Sequence, residues 1–370
     1  MRAAHFALLS SVLAAGCGRF NFDQNDTGTD AGSVFPGGSP TVRTRLDLDR
    51  YAPSEPLVDF PLLVTLDDTR ADRTLFGVDA SDVRFRDETG AIIAHEIEAA
   101  GSPGGDPFTA WVRVPRYEVG TSIYVEYGGT PAPASTDAVW SASYEAVWHF
   151  KTADIVLDST AHHRDATAHH SVQSDPGFVS QGIQLDDTDS EYLSAAGDTG
   201  NLTEITVSGW ILANARSRSS SGYSDIVTRE YLTDTTDDVL LGLAVLDVPA
   251  LDISTNGGAA AAIGPATTFG EWQLLTGTWT AGVSRIYVNG AFAGMHAVAG
   301  DYVRDSQGNP FFIGAGNNNT IPREEAMDDF VNGRLDEIRI ENVVRSDAWI
   351  RGDYLSASDA VTTYGPIDRL

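Results

Sequence analysis

The sequence predicts an all-β protein built of two antiparallel β-sandwich domains. Three observations predict it: short runs in which apolar and polar residues alternate, turn-forming residues bounding each run, and a single stretch with convincing helical character. At 370 residues with 42% hydrophobic residues, the chain is long enough for one or two domains with real cores. Acidic residues outnumber basic ones 52 to 24, a formal net charge of -28. That balance argues against nucleic acid as a partner and leaves glycans, cations and basic proteins open.

The chain opens MRAAHFALLSSVLAAGCGRF, with one basic residue, Arg2, an apolar run from Phe6 to Ala15, and small residues ending at Cys17. The run is too short to span a bilayer as a helix and fits a signal peptide over residues 1–16. Cys17 is the one cysteine, so no intramolecular disulfide and no cysteine zinc cluster can form. Residues 17–40 are rich in Gly, Asp, Asn, Ser and Pro without apolar period, as a solvated tether would be.

Period-2 alternation then dominates. Phe60, Leu62, Val64 and Leu66 share one face, as do Val83 and Phe85, Val112 and Val114, and Ile123, Val125 and Tyr127. These runs predict a first sandwich over 41–143, ending near the prolines of TPAPASTDAVW. A second β-rich segment, 144–357, contains ITVSGWI and RIYVNGAFAG, where Asn289-Gly290 between alternating runs signals a type I′ hairpin. Ser346 is placed to N-cap a helix over DAWIRGDYL, with Asp347 at the positive end of its dipole. Residues 358–370 read as a C-terminal tail.

Two resemblances enter on these residues. DFPLLVTLD, SDVRFRDETG, AHEIE, AWVRVP and TSIYVEYGG, followed by EAVWHF, resemble a bacterial domain family of unknown function that commonly precedes LamG-like modules. VWHF, LDSTAHHRDAT, GIQLDDTDSEYL, ITVSGWI, FGEWQLLTGTWTAGVSRIYVNG and GRLDEIRIENVVRSDAWI resemble the LamG-like, concanavalin A-like jelly-roll superfamily. The second resemblance implies a jelly roll whose loops bind glycans or proteins, often beside a calcium ion, and it does not imply catalysis. It implies calcium ligation by Asp336, with Asp158 and Asp186 near the other ligand positions; the plainer alternative is that Asp336 caps a turn. The N-terminus resembles a bacterial lipoprotein signal, which implies lipidation of Cys17 and, with Gly18 following, export to the outer membrane.

The same superfamily includes laminarinase-like glycosidases with an acidic active strand. Here the strand reads Glu337-Ile338-Arg339-Ile340-Glu341. In a regular strand the two glutamates lie ~13 Å apart at Cα, wider than the ~5 to 5.5 Å carboxyl separation of a retaining pair. Arg339 between them favours their ionised forms, whereas a general acid needs a raised pKa. A solvated Glu-Arg-Glu ion-pair row is therefore the expectation, with Asp336 on the opposite face beside Ile338 and Ile340. The histidines of HHRDATAHH fall in a variable loop and the strand after it, where alternation separates neighbours. Trp148, Trp210, Trp272 and Trp279 sit in framework pieces and read mostly as core. The polar loops 215–225 and 314–330 supply the candidate ligand-binding residues Tyr223, Asn317, Asn318 and Arg323.

The function expected is therefore that of a cell-surface or outer-membrane lipoprotein, held to the membrane only by its lipid anchor and binding polysaccharide or glycoconjugate without catalysis. The alternatives are an adhesion or scaffold component with a surface-protein partner and, further off, a divergent glycoside hydrolase. Calcium is the expected structural cofactor.

Overall fold

In β-strands, residues two apart share a face, and the four-residue row Phe60, Leu62, Val64 and Leu66 is wholly buried in the structure. The coordinates are a computed structural model. It describes residues 39–131, 138–152, 154–216, 218–219, 221–230, 237–303, 309–317 and 327–370. Gly37–Leu370 form one compact unit.

The first sandwich is made of β1 (Val42–Asp47), β2 (Leu57–Leu66), β3 (Arg84–Asp87), β4 (Ile92–Ile93), β5 (His95–Ala99), β6 (Phe108–Tyr117) and β7 (Ser122–Tyr127). The second comprises β8 (Tyr144–Trp148), β9 (Thr167–His169), β10 (Gln173–Pro176), β11 (Gln181–Leu185), β12 (Tyr192–Ala195), β13 (Glu204–Ala213) and β14 (Ser224–Glu230). It continues with β15 (Asp237–Ala244), β16 (Val248–Thr255), β17 (Gly258–Ile263), β18 (Trp272–Thr280), β19 (Val283–Val288) and β20 (Ala291–Ala297). β21 (Phe311–Ile313), β22 (Gly316–Asn317), β23 (Met327–Asp328) and β24 (Gly333–Glu341) complete it, before α1 (Asp347–Ala357) and β25 (Thr363–Arg369).

In the first sandwich a sheet ordered β25-β1-β7-β3-β4 packs on a second ordered β2-β6-β5. Its core gathers Phe60, Leu62, Val64, Phe85, Val112 and Val125. Burying each such side chain stabilises the fold by roughly 1.5–3 kcal/mol. The 358–370 segment expected as a tail is corrected here: β25 pairs antiparallel with β1, from Val42↔Arg369 to Asp47↔Thr363. Gly365 and Pro366 hid this strand from the sequence pattern. Pro366 is tolerated because β25 is an edge strand, and the ladder shifts register between Thr44 and Leu46, beside Gly365. The second sandwich is thus inserted between β7 and β25 of the first, rather than following it in tandem.

The second sandwich has one sheet ordered β10-β11-β24-β13-β18-β19-β20, with β8 also on β24, and an opposing sheet ordered β17-β16-β15-β14-β21-β12-β9. Between them lie Trp148, Val207, Leu241, Leu251, Trp279 and Ile338. The Asn289-Gly290 turn has both φ angles positive, 52° and 71°, as a type I′ hairpin between β19 and β20 requires. Ser346 caps α1 as its sequence suggests: its Oγ accepts the Trp349 N–H at 3.2 Å. Trp349 then enters the core of the first sandwich, its ring 5.2 Å from that of Phe60.

Candidate functional site

Two places on the molecule concentrate polar chemistry, and each follows from strand alternation. The first is buried where the sandwiches meet. In β5, His95 is buried with its ring 5.3 Å from that of Phe85 in the first core, and Ile97 packs against the same core. Alternation turns Glu96 and Glu98 the other way. Trp111, paired with Glu96 across β5 and β6, points out of that sheet as well. From the second sandwich come His149 and Lys151, just past β8, and Glu337 and Arg339 on β24. Leu63, Trp111, Trp140, Tyr144, Val147 and Val179 form an apolar collar there.

β24 is irregular at the decisive point. Glu337 has φ 52°, and the ladder to β13 shifts between Ser208 and Trp210. This bulge corrects the expected placement of Asp336 beside Ile338 and Ile340. Those isoleucines are core, whereas Asp336 meets the 177–179 turn, its Oδ2 accepting the Val179 N–H at 2.7 Å. The expectation of a solvated acid row is also overturned: Glu337, Arg339 and Glu341 are all buried. The first sandwich and α1 cover this face of the sheet, a covering that the strand's own sequence cannot show.

Glu337 Oε1 lies 2.7 Å from His149 Nδ1 and accepts the Trp111 indole N–H at 3.3 Å, while Oε2 accepts from Arg339 at 2.8 Å. Arg339 also donates to Asp353 of α1 at 2.8 Å, with its guanidinium 4.3 Å above the Trp111 ring. Glu96 accepts from the Trp140 indole at 2.7 Å, from Lys151 at 2.5 Å and from Ser159 at 2.8 Å. Glu98 differs from both. Its Oε2 stands 3.6 Å from His149 Nδ1 and 3.6 Å from Lys151 Nζ, yet neither of its oxygens has a hydrogen-bond partner among the described residues.

Burial pushes the Glu98 carboxyl up to about 7, against the pull of His149 and Lys151. Burial opposes ionisation of Glu96 too, but the charges of His149 and Lys151 overcome it and hold that group well below the carboxylate range. Burial would lower His149, and the carboxylates of Glu337, Glu96 and Glu98 instead raise it to about 10. A cleft of about 410 Å³ lined by Glu96, His149, Lys151 and Asp158 opens on one side of the cluster. One of about 680 Å³ lined by Glu98, Thr109 and Lys151 opens on another.

The second place is the outer face of the β17-to-β9 sheet and its adjoining loops. Leu193, Phe311 and Ile313 face the core, so Tyr192 and Phe312 face away from it. Tyr192 stacks on His169 with centroids 4.2 Å apart and planes 7° from parallel, and its ring is 6.1 Å from Phe312 and 6.3 Å from Phe330. His169 Nε2 is 2.8 Å from Ser194 Oγ. Asp329, next to Phe330, accepts from Ser219 and Ser221, and Asn332 donates to Asp187 at 2.9 Å. The partly exposed rings of His169, Tyr192 and Phe330 thus adjoin a polar rim of Ser219, Ser221 and Asn332, while Phe312, Asp329 and the Asp187 side chain are buried.

The predicted site residues are dispersed. Asp158 closes its own turn, accepting from Val147 N, Thr160 N, Thr160 Oγ1 and Arg164 N at 2.8–2.9 Å. Asp186 accepts from the N–H and hydroxyl of Thr188 in an Asx turn. Asp336 keeps one buried oxygen, Oδ1, without a partner among the described residues. Among those residues the carboxylates of Asp158, Asp186 and Asp336 do not converge; the group that does is Glu98, His149 and Glu337. Tyr223 is in the rim loop, its N–H donating to Ser221 Oγ at 3.1 Å. Asn317 ends β22, paired with Met327. Cys17, Asn318 and Arg323 lie outside the described residues.

Sequence reasoning missed Glu96, Glu98, His149 and Lys151. Two signals were available: the alternation of AHEIE, which puts two carboxylates on one face, and Lys151 as the only lysine of the chain.

Residues 186–351 match the model of the Concanavalin A-like lectin/glucanases superfamily. The second sandwich is a concanavalin A-like jelly roll, in an all-β chain. Several solved structures are similar to part of the chain. The binding domain of Paraclostridial Mosquitocidal Protein 1 has 14% identity and a TM-score of 0.46, the match covering 58% of this chain and 52% of that one. Domain 4 of AbnA, a GH43 extracellular arabinanase from Geobacillus stearothermophilus, in complex with arabinotriose, has 15% identity, a TM-score of 0.44, and coverage of 58% and 99%. The binding domain of Botulinum Neurotoxin DC in complex with SialylT has 14% identity, a TM-score of 0.44, and coverage of 58% and 51%. The match thus spans about half the length of the two toxin chains. No curated protein sequence matches the chain. No helix of the described residues is long and apolar enough to cross a membrane.

Proposed function

We propose that this chain is a non-catalytic glycan-binding protein of the cell surface, lipidated at Cys17, whose jelly roll receives polysaccharide or glycoconjugate on the outer face of the β17-to-β9 sheet. One observation carries the reading: the stacked pair of His169 and Tyr192 with Phe330 beside it, all partly exposed, next to the serine and asparagine side chains of Ser219, Ser221 and Asn332. Sugar rings offer apolar C–H faces that pack on aromatic rings, and hydroxyls that pair with amides and carboxylates. The acids that resembled a hydrolase's active strand support the non-catalytic reading. Glu337 and Glu341 are buried and held by Arg339 and Arg345, without the open space a sugar would need. A glycan array probed with the Gly37–Leu370 unit tests this: binding to a defined glycan class supports it, and an array without binders rejects it. Mass spectrometry of the mature N-terminus tests lipidation, which an unmodified terminus elsewhere than Cys17 rejects.

An adhesion reading has its own observation. Phe292 and Met295 on the edge strand β20 are 53% and 55% exposed, and Ile263 at the end of β17 is 55% exposed. Exposed apolar edges of this kind suit a protein partner. Capture of one surface protein, lost in Phe292→Ser with glycan binding unchanged, would favour it.

A further inference from the structure

We propose that Glu98, His149 and Glu337 bind a divalent transition-metal ion that ties the first sandwich to the jelly roll. The three residues come from separate parts of the fold: β5 of the first sandwich, the segment after β8, and the bulge of β24. Each offers one ligand atom, and these atoms all lie within 4.8 Å of one another. His149 Nδ1 is 2.7 Å from Glu337 Oε1 and 3.6 Å from Glu98 Oε2. Ligands held at ~2.0–2.2 Å from a common ion stand about this far apart.

The independent observation is Glu98. Its side chain is 0% exposed, yet both oxygens lack a hydrogen bond among the described residues, as does His149 Nε2. Burying a carboxylate with no hydrogen bond is costly; the protein offers Glu98 only the charges of His149 and Lys151, each at 3.6 Å, and an ion at this point supplies the direct partner. The surroundings are those of a held ligand set. Trp111 and Arg339 fix Glu337. Glu96 Oε2 lies 3.5 Å from His149 Nε2, so with Nδ1 on the metal the remaining ring proton faces a carboxylate, the usual way in which a ligating histidine is oriented. Two clefts adjoin the cluster, one lined by His149 and the other by Glu98. An imidazole with two carboxylates suits zinc, manganese or iron(II), whereas calcium takes oxygen ligands. The site shares none of the three aspartates that the sequence suggested for calcium.

The test uses the Gly37–Leu370 unit, stripped with EDTA, then offered Zn²⁺, Mn²⁺, Co²⁺ or Ca²⁺ and desalted. Elemental analysis is expected to find one transition-metal ion per chain in the wild type and in His170→Ala, a control at an exposed histidine. Glu98→Gln is expected to weaken metal binding at least about tenfold. The melting temperature of the wild type should rise by about 5 °C with saturating Zn²⁺ and not with Ca²⁺. Co²⁺ should give visible d–d bands that Glu98→Gln lacks. A wild type that retains no Zn²⁺, Mn²⁺ or Co²⁺ and melts identically with and without them overturns the proposal, whether or not Glu98→Gln folds. So does a folded Glu98→Gln that binds as well as the wild type. No glycan enters these measurements, so their outcome is independent of the glycan-binding reading.

Discussion

Arg339 joins Glu337 to Asp353 beneath two tryptophan rings, and it is 4% exposed. In water such a row contributes little; here, removing the cation strands two acids in a dry interface. Arg339→Met is expected to lose ~3–5 kcal/mol in urea denaturation. A loss below ~1 kcal/mol would mean that the row behaves as a surface one. Glu126 makes the corresponding point about pH. Burial would raise its carboxyl, but hydrogen bonds from Arg86 and Arg43 bring it below its ordinary 4.5. Its contribution to stability is therefore full above pH 4.5 and is lost as pH falls through the lower folded value. Melting curves from pH 7 down to about 3 should show Glu126→Gln less stable than wild type at neutral pH, with the gap narrowing in acid; a gap that widens in acid would contradict this. The sequence shows the charges of EIRIE plainly. It does not show what covers them, because the covering residues, Trp111 and Trp140, are some two hundred positions away.

Local signals determined the elements that were read correctly. Ser346 before an apolar-periodic segment and Asn289-Gly290 between alternating runs each act within a few residues, and the structure places a cap and a type I′ turn there. Ser346→Ala should cost ~1 kcal/mol by thermal melting, and no change would show that packing alone ends the helix. β25 was missed because its partner is β1, more than three hundred residues upstream, and because Gly365 and Pro366 mimic a tail. Truncation after Asp359 removes it and bares the edge of β1. That variant is expected to aggregate or to lose its cooperative melting transition. A soluble truncated chain that melts as the wild type does would show β25 to be dispensable. The bulge at Glu337 belongs to this scale too: one residue with positive φ moves Asp336 off the face that strict alternation gives it.

At the scale of the molecule, the jelly roll sits inside the first sandwich in sequence and shares side chains with it in space. Trp349 of α1 fills the first core, and Leu63 N–H donates to Ser356 Oγ across the junction at 2.8 Å. Two sandwiches were legible from period-2 runs, but their interlocking was not, because pairing between distant strands leaves no local mark. The same holds for the aromatic face. His169 lay in a histidine-rich loop, Tyr192 in a framework piece and Phe330 in a polar loop, and only the fold stacks them together. The most direct measurement is a calorimetric titration of the Gly37–Leu370 unit, wild type and Tyr192→Ala, with the strongest glycan from the array. Binding by the wild type and a loss of about tenfold or more in affinity for Tyr192→Ala, with its melting temperature little changed, is the expected result. Equal affinity in the two proteins would contradict a binding site on this face.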